Sequence, residues 1–408
     1  MACSDTGHTP IIFHIDVNSA FLSWSALKLL REGGTVDLRD IPSIVGGDQD
    51  TRHGIVVAKS IPAKAYDIHT ADTVASAFLK CPDLVMVPPD HTYYREQSRR
   101  LMEYLSSVSP RIEQVSIDEC YMDFEPIREQ FASPEEAAER IKDSVKEKFG
   151  FTVNVGISDR KILAKMASDF QKPDRVHTLY ASEIEKKMWP LPIGDLHMCG
   201  KSSAALLSKM GIHTIGELAN TDPDLVESWL KSHGRLLWEY ANGIDDATVV
   251  SEPSRAKGIG NSVTLTKDAT EAREAYAVLR ELAESVASRL EKHDFLAGQV
   301  SVEIKYATFR SVSHQTTLAK ATASAEELYR QARVLFDELW DNEPIRLLGI
   351  RTTKLEDEGE PSQIDLFSYQ EEQREERRQA QLDEAMQRIN QRYGEGAISR
   401  GWKDSDED

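Results

Sequence analysis

The chain carries the segment IIFHIDVNSAF at residues 11–21. Its first five residues are apolar or aromatic and include several β-branched side chains, which is typical of a buried strand. Asp16 follows this run directly. A carboxylate at the end of a buried strand is costly to desolvate unless a cation or a hydrogen-bond donor compensates for it. The segment therefore predicts a core strand that ends in an acid, and by itself this acid is as compatible with an ordinary strand end as with a functional role.

A second acidic site, Asp118 and Glu119, lies between two apolar arms at residues 114–117 and 120–122. Acids at the ends of neighbouring strands can bind Mg²⁺, which prefers carboxylate oxygens and substrate phosphates. Two such ions about 4 Å apart activate the attacking oxygen and neutralise the leaving oxygen in phosphoryl transfer. The alternative interpretation is that these are ordinary strand-end acids, and spacing alone does not show that they converge with Asp16.

Length and composition exclude several classes of protein. With 408 residues, the chain is long enough for two to four domains of roughly 100–200 residues each. It has no apolar run of about 18 residues, no basic and apolar leader, and four widely spaced cysteines without a Cys-x-x-Cys pair. We therefore expect no membrane span, no signal peptide, no structural zinc site and a reducing, cytoplasmic location.

The net charge of −19 would argue against a nucleic-acid partner only if it were evenly spread. Residues 356–408 contain sixteen Asp or Glu and seven Lys or Arg, which is a net charge of −9. Nearly half of the excess thus lies in an acidic C-terminal tail, which we expect to be a solvated segment. The overall charge therefore does not exclude a DNA-binding body.

The apolar pattern predicts an α+β chain. Over residues 11–178, β-branched strands alternate with amphipathic helices, as in a sheet covered by helices. Residues 190–246 contain short helices without strand signals, and residues 261–353 follow the order β-α-β-β-α-β, which indicates a second, smaller sheet domain. In the first region, strands are predicted at residues 11–16, 44–46, 54–58, 114–117, 120–122 and 151–156, and helices at residues 91–107, between Ser133 and Gly150, and from Ser158.

Three motifs, in the same order, resemble those of one enzyme family. They are HIDVNSAF at residues 14–21, SIDE at 116–119 and VGIS at 155–158, the last followed by lysines at 161, 165 and 172. Over residues 10–355 the chain is similar to the Y-family of translesion DNA polymerases, typified by bacterial polymerase IV and UmuC. Any one motif is a weak signal, whereas the motifs in register are specific.

The resemblance implies a multidomain right-hand polymerase that adds dNTPs to a primer 3′ end on a DNA template during DNA damage tolerance. It implies two Mg²⁺ ions per active site, and primer–template DNA, dNTP and the replication sliding clamp as partners of a monomeric chain. The implied domains are a palm at 10–22 and 80–178, fingers at 23–79, a helix-hairpin-helix thumb at 179–246, a linker at 247–257, a little finger at 258–355 and an acidic tail at 356–408.

The same resemblance assigns the catalytic residues. Asp16, Asp118 and Glu119 correspond to the catalytic acids that hold the metal ions. Val17 corresponds to the position whose backbone carbonyl completes a metal shell. Phe21 corresponds to the steric gate beneath the sugar of the incoming nucleotide, although a core phenylalanine on the first helix is the alternative interpretation.

Two lysines, Lys64 and Lys172, correspond to residues that bind the triphosphate. The chain departs from the common pattern at Ala58, which lacks a hydroxyl group, and at Ile61, where many members carry a phosphate-contacting tyrosine. Both departures remove triphosphate contacts. Asn18, in place of a frequent aspartate, is shared by UmuC-like members.

The predicted DNA contacts lie in the thumb and in the little finger. Cys199, Gly200 and Lys201 form the hairpin of a helix-hairpin-helix pattern, in which backbone N–H groups at a helix start bind a phosphate without reading bases. A plain helical hairpin is the alternative. In the little finger, basic residues on a sheet face would follow the phosphates and give salt-dependent affinity without sequence preference, and an ordinary mixed surface is the alternative. These residues are Lys257, Lys305 and Arg310.

Residues 363–367, with the sequence QIDLF, resemble the short peptide by which bacterial polymerases bind the sliding clamp. Gln363 and the apolar anchors Leu366 and Phe367 would dock in a preformed groove, and a chance match is the alternative. Beyond this peptide, residues 370–393 are predicted to form a charged helix.

Three other functions are compatible with parts of this pattern. A non-catalytic, polymerase-like accessory protein would bind DNA and the clamp only, a nucleotidyl cyclase would also use paired acids, and a structural DNA-binding protein would need no steric gate. Retention of all three acids favours the polymerase over the accessory protein. The clamp-like peptide has no use in a cyclase.

Overall fold

The computed structural model describes residues 10–48, 52, 54–252 and 255–357. The chain divides into two compact units, Met1–Arg255 and Ala256–Asp408. The peptide at 363–367 and the helix predicted at 370–393 lie outside the described residues. Within the described ranges, no helix is both long and apolar enough to cross a membrane.

The first unit contains two sheets. Their strands are β1 (Ile12–Val17), β2 (Ser43–Gly46), β3 (Val56–Lys59), β4 (Val85–Val87), β5 (Ile112–Gln114), β6 (Glu119–Asp123), β7 (Val153–Ser158) and β8 (Val176–Thr178). One sheet has the order β5-β6-β1-β7-β8, and the other has the order β3-β2-β4. Because β1 is the central strand of the larger sheet, all of its residues are buried.

The helices of the first unit pack on these sheets or come after them in the chain. Helix α5 begins and ends as predicted, because Ser133 accepts a hydrogen bond from the N–H of Glu136 and Gly150 takes the left-handed conformation at the helix end. The helices are α1 (Ala20–Arg31), α2 (Ile61–Lys64), α3 (Val74–Lys80), α4 (His91–Val108), α5 (Pro134–Phe149), α6 (Lys161–Asp169), α7 (Ile184–Lys187), α8 (Lys201–Lys209), α9 (Ile215–Ala219), α10 (Pro223–Leu230) and α11 (Ser232–Ala241).

The helix start predicted at Ser158 is wrong. Ser158 is the last residue of β7, and its hydroxyl donates to the carbonyl of Leu179 at 2.6 Å. Helix α6 begins at Lys161, where the N–H of Ile162 donates to the carboxylate of Asp245 at 2.9 Å. The serine therefore ties β7 to the segment after β8, and an aspartate distant in sequence accepts the hydrogen bond at the helix start.

Gly156 allows α6 to pack directly on β7. A Cβ atom at this position would lie 2.0 Å from the carbonyl oxygen of Ala164 and 2.5 Å from the amide nitrogen of Ser168. Both are backbone atoms of the helix, so neither can rotate away. We therefore expect Gly156→Ala to lower the free energy of unfolding by roughly 1–3 kcal/mol, the usual cost of overpacking a core.

Thermal and urea unfolding of the full chain measure this effect. Gly200→Ala is the matched control, because a Cβ atom there would meet nothing within 4 Å and its φ of −68° suits any residue. An equal loss of stability in the two variants would contradict the packing explanation.

Helix α1 packs against both sheets of the first unit. Trp24 lies in the core formed with β1, whereas Leu22 lies in a separate cluster with Val45 of β2. Strand β4 pairs in parallel with β2. Residues 85–87, predicted to belong to the palm, therefore lie in the smaller sheet together with two strands of the predicted fingers. The boundary between fingers and palm at residue 80 stays a prediction, and the pairing of β4 with β2 favours a later position.

Residues 179–246 form the helical part of the first unit. Helices α8, α9 and α11 share a core that includes Leu207, Ile215 and Leu237. Ile162 and Leu163 of α6 belong to the same core. The helical part is thus joined to the larger sheet through α6.

The beginning of the predicted linker is attached to the larger sheet. The N–H of Val250 donates to the carboxylate of Glu113 at 2.8 Å. Val249 packs against a small cluster that contains Tyr121. The linker at 247–257 stays a prediction, and two of its first residues contact the first unit.

Within residues 256–357, the second unit has one four-stranded sheet and two helices, in the predicted order β-α-β-β-α-β. The elements are β9 (Gly258–Ala269), α12 (Ala272–Lys292), β10 (Phe295–Tyr306), β11 (Ser311–Thr322), α13 (Ala325–Leu339) and β12 (Ile345–Asp357), and the strand order is β11-β10-β12-β9. Val300, Val302 and Ile304 of β10 pack in the core with the helices. Because side chains alternate along a strand, Glu303 and Lys305 lie on the opposite, open face.

Candidate active site

The larger sheet brings the three predicted acids together. In the antiparallel pairing of β1 with β6, Asp16 lies opposite Glu119. The N–H of Val17 donates to the carbonyl of Asp118 at 3.0 Å, so the third acid is adjacent to this pair. The strand register thus brings the three acids together, which their spacing in the sequence alone did not show.

Two lysine side chains lie among these acids. Lys165 of α6 contacts Glu119 at 2.9 Å and Asp16 at 3.9 Å. Lys172 forms a short ion pair with Asp16. Both ammonium groups also pair with Asp169, at 3.5 Å and 2.8 Å respectively. Burial disfavours the charge on each lysine, but the carboxylates outweigh it and raise the pKa of both, so the site is an ionic network of alternating charge.

His14, which shares a face of β1 with Asp16, holds Glu119 from a second side. Its Nε2 lies 3.3 Å from Oε2 of Glu119, and its Nδ1 lies 2.8 Å from Oγ of Ser168. The hydrogen bond with His14, opposed by burial and reinforced by Lys165, lowers the pKa of Glu119 to about 2. Glu119 is therefore ionised at neutral pH.

Asp118 has a different environment. Burial raises the pKa of its carboxyl, and the charges of Asp16 and Glu119 raise it further. A hydrogen bond of 2.7 Å from the hydroxyl of Ser116 lowers the pKa but does not outweigh these effects. In the described part of the chain, no lysine or arginine forms an ion pair with Asp118. Of the three acids, this is the one that an added cation would stabilise most.

The donor chemistry suits Mg²⁺, although the side chains are not arranged as one ligand set. Carboxylate oxygens at adjacent strand ends are ligands that Mg²⁺ prefers. Among the residues that the structure describes, however, no group of three His, Cys, Asp or Glu side chains is placed to hold a metal ion. Glu119 faces Lys165, and Asp16 faces Lys172. The predicted metal site therefore requires these carboxylates to turn from the lysines toward Asp118.

Phe21 is fixed against an aromatic cluster. Its ring stacks on Tyr94 of α4 with a centroid separation of 4.6 Å and an interplanar angle of 10°. The hydroxyl of Tyr94 lies 2.6 Å from that of Ser25, and buried Trp24 lies against both rings. Phe21 itself is only partly buried. The ring thus packs on the core with one part of its surface and leaves another part accessible.

The accessible part of Phe21 borders a cleft of about 320 Å³. This cleft also contains Lys64 and Asp118, so three predicted site residues meet in one cavity. Lys172 does not line it, because its ammonium group is directed to Asp16 and Asp169. The lining residues are Ser19, Ala20, Phe21, Val57, Ala58, Lys59, Lys64, Thr70 and Asp118.

The predicted hairpin of the thumb precedes α8. The side chain of Cys199 is buried in the helical core, so only its backbone is available to a ligand. Gly200 and Lys201 are exposed. Because Gly200 has no side chain, α8 begins without a side-chain cap, which leaves its first N–H groups to solvent or to a ligand.

The three basic residues predicted in the second unit differ from one another. Lys305 lies on the open face of the sheet, and Lys257 is exposed just before β9. The guanidinium of Arg310 pairs with Asp341 and, at 3.0 Å, with Glu343. Two carboxylates compensate the charge of Arg310, which weakens the prediction that this residue binds a phosphate.

Sequence reasoning gave no functional role to several residues of the site. His14 could have been found, because residues two apart on a strand share a face and Asp16 is the next residue but one. Lys165 and Asp169 are four apart on a helix, which indicates a side-chain pair. No local pattern indicated a role for Lys59, because its position at the cleft depends on residues that are distant from it in the sequence.

The chain matches the impB/mucB/samB family over residues 15–169 and the C-terminal domain of that family over residues 256–366. It is 43% identical to DNA polymerase IV of Clostridium acetobutylicum over 390 residues, which is 96% of this chain and 97% of that protein. It is 36% identical to DNA polymerase IV 1 of Bacillus subtilis over 399 residues, which is 97% of this chain and 93% of that protein.

Among solved structures, the chain is similar to a Y-family DNA polymerase chimera. The TM-score is 0.74 at 21% sequence identity, and the match covers 85% of this chain and 99% of that chain. At this identity the similarity concerns the fold, and it confirms the predicted right-hand polymerase. Together with the two domain matches and the nearly full-length relatives, it leads to one conclusion: the chain belongs to the impB/mucB/samB family, the Y-family of translesion DNA polymerases.

Proposed function

We propose that the chain extends the 3′ end of a primer on a DNA template by two-metal phosphoryl transfer, and that it does so on damaged templates as part of DNA damage tolerance. The observation that carries the proposal is the cleft in which Asp118, Phe21 and Lys64 meet, next to the paired Asp16 and Glu119. It combines carboxylates near the reacting phosphate, a ring for the sugar and a cation for the phosphate tail.

The side chains of the cleft would prepare the reaction in three ways. Lys64 binds the phosphate tail by charge, which orients the α-phosphate toward the acids. Phe21, fixed by Tyr94, forms a wall against the sugar, so that a 2′ hydroxyl collides with the ring. Glu119 is already ionised because of His14, so it does not need to lose a proton when substrate binds.

Two Mg²⁺ ions bound by the acids would stabilise the charge that develops as the primer hydroxyl attacks and pyrophosphate leaves. Lys165 and Lys172 neutralise Asp16 and Glu119, so these carboxylates stay close to each other despite their like charge. To hold the ions together with Asp118, Asp16 and Glu119 would have to turn away from Lys172 and Lys165. We propose the backbone carbonyl of Val17 as a further ligand of these ions.

DNA would be held mainly through its phosphates. The exposed N-terminus of α8 at Gly200 and Lys201 offers backbone N–H groups to one strand. In the second unit, the open sheet face contains a groove of about 510 Å³ with small polar side chains, Glu303 and Arg351 among its lining, and Lys305 lies on the same face. Such contacts predict an affinity that falls with salt and does not depend on sequence.

Primer extension by the purified full chain tests the proposal. The assay supplies a primed template, one or all four dNTPs and Mg²⁺, and it is repeated on a template with a lesion. We expect insertion of the complementary nucleotide and synthesis past the lesion. Binding of DNA without any extension would refute the proposal and support a non-catalytic accessory protein.

We also propose that Gln363, Leu366 and Phe367 bind the replication sliding clamp. Replacing Leu366 and Phe367 with Ala should weaken clamp binding by at least about tenfold, because burial of either side chain is worth roughly 1.5–3 kcal/mol. Extension without the clamp should be unchanged, since the peptide follows the catalytic body in the chain. The measurement is a pull-down with the cognate clamp and extension with the clamp loaded on DNA.

A double variant with serines at 362 and 368 exchanged for Ala is the matched control, because these positions flank the peptide. Undiminished clamp binding by the Leu366 and Phe367 double variant would mean that QIDLF is a chance match.

A further inference from the structure

Lys59, the last residue of β3, lines the nucleotide cleft without an assigned role. It borders the cleft together with Phe21, Lys64 and Asp118. Its ammonium group donates a hydrogen bond of 2.6 Å to the carbonyl of Ile68. Because a lysine ammonium has three N–H donors, two remain for another acceptor.

The charges of Lys59 and Lys64 are not compensated by ion pairs. In the ranges that the structure describes, no carboxylate pairs with either of them, whereas nearby Lys80 pairs with Asp72 at 2.9 Å. Burial lowers the pKa of Lys59, and the positive charge of Lys64 lowers it further. Two such cations at one cleft repel each other. An anion bound between them would attract both ammonium groups and offset this repulsion.

This wall of the cleft has few other groups for an anion. Ala58, Val57 and Ala20 line the cleft without any polar side-chain group. Thr70 contributes one hydroxyl group to the lining. A nucleoside triphosphate carries several negative charges, and among the described residues that line this cleft the cations are Lys59 and Lys64.

We propose that Lys59 is a second phosphate-binding cation of this cleft and acts with Lys64 on the triphosphate of the incoming dNTP. The inference rests on the proposed polymerase function, because it concerns the same cleft. The hydrogen bond to Ile68 positions the ammonium group before substrate arrives, which reduces the side-chain entropy lost on binding. The two lysines would thereby supply positive charge to a wall on which Ala58 offers no polar group.

A purely structural role of Lys59 is the competing explanation, because its hydrogen bond to Ile68 stabilises the turn after α2. Lys80 is a matched control for this role. Its ammonium group donates to the carbonyl of Asp67, the neighbouring residue, at 2.5 Å, but Lys80 does not line the cleft. Loss of either lysine removes a contact to the turn, and only loss of Lys59 removes a charge from the cleft.

The test compares the full-length wild type with Lys59→Met, Lys59→Arg and Lys80→Met in single-turnover primer extension at increasing dNTP concentration. Inorganic tripolyphosphate is titrated as a competitor, because it probes phosphate binding without a base or a sugar. We expect Lys59→Met to weaken the binding of dNTP and of tripolyphosphate by about tenfold or more, as for a lost charge-assisted hydrogen bond. The maximal rate should change less than the affinity, Lys59→Arg should recover most of the affinity, and Lys80→Met should resemble the wild type.

Two results would overturn the inference. One is unchanged inhibition of Lys59→Met by tripolyphosphate, and the other is an equal loss of affinity in Lys59→Met and Lys80→Met, which would assign Lys59 to the turn. Thermal unfolding of each variant establishes that it is folded. If the wild type did not extend a primer at all, the proposed function would fail instead, and calorimetric titration of the full chain with tripolyphosphate would still decide the role of Lys59.

Discussion

Asp118→Ala is expected to lower the rate of primer extension by roughly a thousandfold or more, the scale on which removal of an essential electrostatic group acts. Asp118 is the predicted catalytic acid that lines the cleft beside Phe21 and Lys64, and it forms no ion pair in the described part of the chain. Its loss would therefore remove the carboxylate most available to a metal ion. DNA binding should stay close to that of the wild type, because we expect the affinity to come from phosphate contacts elsewhere.

Single-turnover extension and fluorescence anisotropy of labelled primer–template measure these two effects separately. Asp118→Asn separates the loss of charge from the loss of volume and should be nearly as inactive as Asp118→Ala. Asp83→Ala is the control, because Asp83 is an exposed acid of the same unit outside the cleft. Extension by Asp118→Ala within tenfold of the wild type would contradict the assignment of this acid.

Phe21→Ala is expected to raise ribonucleotide incorporation relative to deoxyribonucleotide incorporation by roughly ten- to a hundredfold. A ring that blocks a 2′ hydroxyl imposes an overpacking cost of roughly 1–3 kcal/mol, and each 1.4 kcal/mol is a factor of ten. The ring is suited to this role because Tyr94 stacks on it and prevents it from yielding. The measurement is the ratio of insertion efficiencies for one dNTP and the matching rNTP.

Phe21→Tyr is the matched control, because it keeps the ring and should keep the discrimination. Tyr94→Ala should give an intermediate loss of discrimination, since Phe21 would remain but could move away from the sugar. If Phe21→Ala selected against rNTPs as well as the wild type does, the group that senses the 2′ hydroxyl would lie elsewhere in the cleft.

The elements that could be predicted from the sequence are those specified by neighbouring residues. Strand β1 follows from its apolar run, and α5 follows from Ser133 at its start and Gly150 at its end. The β-α-β-β-α-β order of the second unit follows from alternation and from helical periodicity, which act over a few residues. The apolar runs beside them also placed Asp16 and Glu119 at strand ends, and the sheet sets these two residues opposite each other.

Contacts between distant residues had no local signal and were decided by the tertiary structure. Ser158 looked like a helix start, but the segment after β8 supplies a carbonyl that its hydroxyl binds. The triphosphate contact of Lys172 stays a prediction, whereas its pairing with Asp16, 156 residues away in sequence, had no local signal.

For the same reason, the sequence shows that a residue is charged but not whether this charge is available to a ligand. In the sequence, Arg310 and Lys59 are each recognisable only as a basic residue. Asp341 and Glu343 compensate Arg310, whereas Lys59 lines a cleft and forms no ion pair within the described residues. Residue type thus determined which groups could bind a phosphate. Burial and long-range pairing, which depend on the complete fold, determined which of them are free to do so.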